Sequence, residues 1–104
     1  MENKLTVTRN AGFFTPNVKS VSVRHREGMV YLLANGKVLP LRTPAAHATG
    51  FALVKEAGLA LESEFVVLEI NGDALNFPTK SATQVGAALL RKADAADDFQ
   101  KRIH

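Results

Sequence analysis

Residues 30–63 and 66–99 align on each other without a gap at an offset of 36. Val30, Leu32, Asn35, Gly36, Leu39 and Thr43 fall on Val66, Leu68, Asn71, Gly72, Leu75 and Thr79. Ala46, Gly50, Ala52, Leu53, Ala57 and Ala60 fall on Ala82, Gly86, Ala88, Leu89, Ala93 and Ala96. These are 12 identities in 34 positions. Composition alone would give roughly three or four, so the period marks a repeated supersecondary unit.

The repeated positions are those that local physics fixes. Asn-Gly between two apolar runs is a hairpin signal, because a type I′ turn needs φ > 0 at both central residues. A two-residue turn at Asn35-Gly36 sets Leu33 against Val38, Leu32 against Leu39, Tyr31 against Pro40 and Val30 against Leu41. The pleat then puts Val30, Leu32, Leu39 and Leu41 on the core face, and Val66, Leu68, Leu75 and Phe77 on the matching face of the second copy. Thr43 and Thr79 follow at the place of a helix N-cap, with Pro44 at the first helical position. Beyond them Ala46, Gly50, Leu53 and Ala57, and Ala82, Gly86, Leu89 and Ala93, recur at helical spacing. A Gly at the same place in both helices predicts a close backbone approach, helix to helix or helix to sheet. The first helix is expected to stop near Gly58, with that glycine as its C′ residue.

Upstream, Lys4 to Thr8 and Val18 to Arg26 read as two more strands, with Glu27-Gly28 turning into the first repeat. The order is ββ-ββα-ββα. It predicts a single α+β domain over 1–104: N-terminal strands in 1–28, repeats at 30–63 and 66–99, and a frayed tail at 100–104. A mainly antiparallel sheet of about five or six strands, with two helices on one face, follows from that order. The repeats should be related by an approximate two-fold axis.

The chain has no Cys, which rules out thiolate metal sites and a Cys nucleophile. Its start lacks the apolar h-region of a signal peptide, and its longest apolar run, Met29 to Ala34, is too short to span a bilayer. A cytoplasmic protein with no membrane partner is expected. Up to Thr43 there are seven Lys/Arg and two acids; from Pro44 onward there are six Lys/Arg and eight acids. A basic front and a mildly acidic back are read first as a mixed surface with chance clustering, and second as the mark of an anionic partner or head-to-tail self-association.

Phosphate-binding, dinucleotide, zinc-protease and nucleophile-elbow motifs are all missing. His25, His47 and His104 lie apart in sequence and read as surface or cap histidines. Asp94, Asp97 and Asp98 can line one helix face as an oxygen-rich metal site, but flanking Lys and Arg favour a solvated, salt-bridged face. Lys80-Ser81 at a helix start lacks the Gly-rich loop of a phosphate site. No catalytic residue, metal or cofactor is therefore expected.

Two features point to binding. The outer face of the first hairpin carries Tyr31, Leu33, Val38 and Pro40, with Met29 beside them; the second carries Val67, Glu69, Ala74 and Asn76. Units that began equal differ here, so the first face is expected either to meet a protein partner or second copy, or to be covered by Phe13 and Phe14. The second feature is the stripe Ser20, Ser22, Arg24 and Arg26, with Lys19 near it. A basic sheet face with aromatics nearby resembles a single-stranded nucleic-acid platform. A protein-interaction module, with homodimerisation an option, is the first expectation and a nucleic-acid-binding accessory protein the second.

The stretch from Val85 to Gln100, with Leu89-Leu90-Arg91-Lys92-Ala93-Asp94 and Asp97-Asp98-Phe99-Gln100, resembles the C-terminal ends of small proteins from phages, prophages and their proteobacterial hosts. The resemblance covers about a sixth of the chain and carries no site residue. It implies a small accessory protein that works by binding.

Overall fold

The computed structural model describes residues 5–11 and 18–103. Strands β1 (Leu5–Ala11), β2 (Val21–Arg26), β3 (Met29–Ala34) and β4 (Lys37–Leu41) precede helix α1 (Thr43–Leu59). Strands β5 (Glu64–Ile70) and β6 (Asp73–Phe77) precede helix α2 (Thr79–Ile103). The fold is α+β as expected, and the described residues form six antiparallel strands and two helices. The strands divide into two three-stranded sheets, β2-β3-β4 and β1-β5-β6.

Turn chemistry fixes the hairpin registers. Asn35 and Asn71 both sit at φ 52°, followed by Gly36 at 81° and Gly72 at 91°. These are the two positive-φ residues of a type I′ turn. Leu33 consequently pairs with Val38, Tyr31 with Pro40 and Val30 with Leu41. Glu27 and Gly28, at φ 52° and 81°, make a third turn of the same kind between β2 and β3.

The division into two sheets has a physical logic. Strand β2 pairs with β3 so that Val21 opposes Ala34, and β1 pairs with β5 so that Leu5 opposes Ile70. Ala34 and Ile70 are equivalent residues of the two repeats, so β1 occupies in the second unit the place that β2 occupies in the first. Each unit is therefore three strands and a helix, and the second unit is split around the first in sequence. Leu5 and Val7 repeat the inward-facing apolar pattern of Val21 and Val23, which is why either strand suits either hairpin.

The helices tie the sheets together by exchange. Helix α1 follows β4 but packs chiefly on β1 and β5, whereas α2 follows β6 and packs chiefly on β2 and β3. Val30, Leu32, Leu41, Leu53, Val66, Leu68, Phe77 and Leu89 are all fully buried at the resulting junction. Burying a side chain of this size contributes ~1.5–3 kcal/mol. The helices run antiparallel and touch at Gly50 and Gly86. A Cβ built on either glycine would stand 2.7 Å from the other's carbonyl oxygen, so the repeated glycine serves helix-to-helix approach. Lys37 Nζ also meets Asp73 Oδ1 at 3.1 Å, and these too are equivalent positions. A residue can meet its own equivalent only on the axis that relates them. The pseudo-two-fold axis thus passes through the Gly50–Gly86 and Lys37–Asp73 contacts.

Three local expectations are corrected. Thr43 and Thr79 are the first residues of their helices rather than caps. Arg42 is the N-cap of α1, without a side-chain cap bond, and Pro44 follows within the first two positions. Gly58 lies inside α1, which ends on Leu59 with Ala60 as an extended C-cap. Residues 100–103, expected to fray, continue α2, and Gln100 Nε2 donates to the Gly28 carbonyl at 3.2 Å.

Candidate functional site

The two surfaces singled out in the sequence are one surface. Ser22, Arg24 and Arg26 lie on the outer face of β2, and cross-strand pairing sets them against Leu33, Tyr31 and Met29 of β3. Leu33 is followed across the sheet by Val38, and Tyr31 by Pro40. The face therefore reads in rows: Ser22–Leu33–Val38, Arg24–Tyr31–Pro40 and Arg26–Met29. Val38 is 57% exposed, Pro40 is exposed, and Met29, Tyr31 and Leu33 are half-buried. Phe13 and Phe14, expected as a cover, lie outside the described residues.

A groove runs between the basic and apolar halves, lined by Arg24, His25, Arg26, Tyr31, Leu33 and Val38. Among the described residues none forms an ion pair with Arg24 or Arg26. Lys19 and Ser20 precede β2 instead of entering the strand, and they are not among the residues that line the groove. Asn35 holds them there: its Oδ1 accepts from Lys19 N at 2.8 Å and Ser20 N at 3.4 Å, and its own backbone N–H donates to the Ser20 carbonyl at 3.0 Å.

The equivalent face of the other sheet is built alike and furnished differently. Its rows are Thr6–Glu69–Ala74 and Thr8–Val67–Asn76. A third row pairs Asn10 with Phe65, so this face keeps Val67 and Phe65 but has Thr8 and Asn10 in place of the two arginines, and Glu69, Ala74 and Asn76 in place of Leu33, Val38 and Pro40. Both sheets use equivalent strand registers and the same Asn-Gly hairpin turn, so packing alone does not require the composition of the first face.

A second cluster forms where α1 starts against α2. His47 Nε2 lies 3.1 Å from Asp97 Oδ2 and 3.5 Å from Asp94 Oδ1. One ligand-capable atom from each of the three lies within 4.8 Å of the others. The Thr43 hydroxyl hydrogen-bonds to Asp97, and that bond first, then the one from His47, holds the Asp97 carboxyl below its ordinary pKa. The sequence places Asp94 and Asp97 on a solvated, salt-bridged face; the fold leaves them solvent-accessible and adds His47 as the partner that sequence reasoning missed. The signal for this in the sequence is the glycine pair. Antiparallel helices that cross at Gly50 and Gly86 carry the first turn of one past the later turns of the other.

Elsewhere, Arg9 fastens β1 to the end of α1, through Glu56 Oε2 at 2.8 Å and the Leu59 carbonyl at 3.1 Å. This is a structural tie across the exchange of strand and helix. No helix among the described residues is long and apolar enough to cross a membrane. No protein-family model, curated protein or solved structure matches this chain.

Proposed function

We propose that this protein is a non-enzymatic interaction module, an accessory protein of phage or bacterial type, whose working surface is the outer face of β2-β3-β4. The observation that carries this reading is the juxtaposition of Arg24 and Arg26 with Met29, Tyr31, Leu33, Val38 and Pro40 on one sheet face. The same face of the duplicate sheet lacks that composition. A half-open apolar patch is a common mark of a protein-binding site. Arginine and tyrosine beside it are the residue types that anchor protein interfaces.

The chemistry of the face defines the partner. Apolar side chains would sit over Leu33 and Val38, and carboxylates would pair with Arg24 and Arg26. A second copy fits less well, because the charged groups of the face are arginines on both sides and like charges across an interface are costly. The cytoplasm is the setting this reading assumes.

A second reading, a nucleic-acid-binding accessory protein, draws on the direct pairing of Arg24 with Tyr31. Stacking on an aromatic ring beside a guanidinium is how single strands are held without sequence preference. Lys19, Ser20 and Ser22 would extend that path along the β2 edge.

Light scattering separates these readings. The free protein should hold the monomer mass of 11.2 kDa and keep it with single-stranded and duplex DNA present. Mass that doubles in protein alone makes the partner a second copy. Mass that rises only with DNA turns the assignment to the second reading.

A further inference from the structure

We propose that His47, Asp94 and Asp97 form a binding site for a divalent transition-metal ion of the zinc kind, one that cross-links the start of α1 to the later turns of α2. The three side chains offer one imidazole nitrogen and two carboxylate oxygens, a donor set that zinc accepts. Asp94 and Asp97 are three apart on a helix, so both project from one face of α2. His47 meets them from α1, 50 residues away from Asp97 in the chain.

The spacing fits an ion. Ligands bound at zinc distances in a tetrahedron stand about 3.3–3.6 Å from one another. Nε2 of His47 stands 3.1 Å and 3.5 Å from the two carboxylates, and all three atoms fall within 4.8 Å. Asp94, with 76% of its side chain exposed, has room to swing and close the remaining edge. In the tautomer protonated at Nδ1, the Nε2 lone pair points to the metal, and solvent completes the coordination. Thr43, which lies beside Asp97 and lowers its pKa, is placed to support a ligand carboxylate.

The duplication supplies an independent argument. At an offset of 36, His47, Asp94 and Asp97 correspond to Thr83, Gly58 and Leu61. The equivalent places in the other repeat therefore offer no imidazole and no carboxylate. Holding the helices together does not by itself require an imidazole and two carboxylates, so their convergence at one end is unexplained by packing.

The test is titration of the metal-free protein with zinc chloride by calorimetry, and with cobalt by visible absorption. Wild-type protein should bind one ion at this site, show the intense colour of low-coordinate cobalt, and melt at a higher temperature with zinc. Asp94→Asn removes a ligand at an exposed position and keeps the side-chain shape. It should weaken zinc binding by at least the roughly tenfold that loss of a supporting group costs, and His47→Gln should do the same. Thr43→Val should give a smaller loss. Far-UV circular dichroism checks that each variant is folded; if His47→Gln is not, Asp94→Asn decides alone. Wild-type protein that takes up no zinc at millimolar concentration, or a folded Asp94→Asn variant that binds zinc and colours cobalt as wild type does, would overturn the proposal.

Discussion

Gly50 and Gly86 each occupy the space that the other's side chain would need, with 2.7 Å from either hypothetical Cβ to the opposite carbonyl oxygen. The obstacle is backbone, so an added methyl must push the helices apart. Alanine gains ~1 kcal/mol over glycine inside a helix. Overpacking a close contact costs ~1–3 kcal/mol. Gly86→Ala meets Val54 Cγ2 at 2.8 Å as well, and should be the worse of the two. Urea denaturation should show both variants destabilised. A stabilised Gly86→Ala would mean that the helices do not cross at these residues.

Asn35 has two jobs. It takes a left-handed conformation in the turn, and its side chain accepts from Lys19 N. Asn35→Gly keeps the turn and loses the side-chain bond, a cost of ~1 kcal/mol. Asn35→Ala loses the bond and adds left-handed strain of ~1–2 kcal/mol. Thermal melting should rank wild type above Asn35→Gly and Asn35→Gly above Asn35→Ala. Equal melting of the two variants would show that the turn conformation is not what selects asparagine.

Elements with strong local chemistry are legible in the sequence. Asn35-Gly36 and Asn71-Gly72 dictate their turns, and the turns dictate which residues reach the core. The placement of β1 is not legible, because Leu5 and Val7 match Val21 and Val23 and nothing local decides which hairpin they join. Thr43 has the side chain of a cap, yet α1 starts one residue earlier than a threonine cap implies and leaves Arg42, which forms no capping bond, at that position. The hydroxyl of Thr43 is turned to Asp97 instead. The apolar face and the basic stripe are both visible in the sequence, but their union needs the β2–β3 register. His47, Asp94 and Asp97 come together only through the antiparallel helix crossing, a relation between residues about 50 apart in the chain.

The depressed Asp97 pKa gives stability a defined pH dependence. Its folded carboxyl binds protons less readily than the unfolded one. The contribution is therefore complete above the ordinary aspartate value, about 3.9, and is lost as pH falls through the lower folded value. Thr43→Val removes the largest cause of the shift. The stability gap between wild type and Thr43→Val, from denaturant melts across acid pH, should be widest above the ordinary value and narrow below it. A gap constant with pH would show that Thr43 acts by packing alone.

The nucleic-acid reading makes a quantitative demand. Removing one cation that neutralises a phosphate lowers the slope of log affinity against log salt by ~0.7 on a single strand. If an oligonucleotide binds this face, Arg24→Ala with Arg26→Ala should weaken it and lower that slope by ~1.4. Fluorescence anisotropy with a labelled oligonucleotide measures both. Wild-type protein that leaves the anisotropy unchanged at low salt removes this reading.

Leu33→Glu places on the first sheet the residue that the second sheet already carries at Glu69. The half-exposed site should tolerate it, with a stability change of about 1 kcal/mol, while a carboxylate set against an acidic, apolar partner should abolish association. Chemical denaturation and partner retention on the same variant separate the effects. A loss of several kcal/mol would mean that the face is covered within the monomer.

Site-specific photocrosslinking in living cells tests the central claim most directly, because the duplication supplies its own control. A benzophenone side chain at Val38 stands on the outer face of β4, and one at Ala74 stands at the equivalent place on β6. The interaction-module account predicts a discrete protein adduct from position 38, none from position 74, and loss of the adduct when Arg24 and Arg26 are both alanine. No adduct from position 38, or equal adducts from both positions, would contradict it.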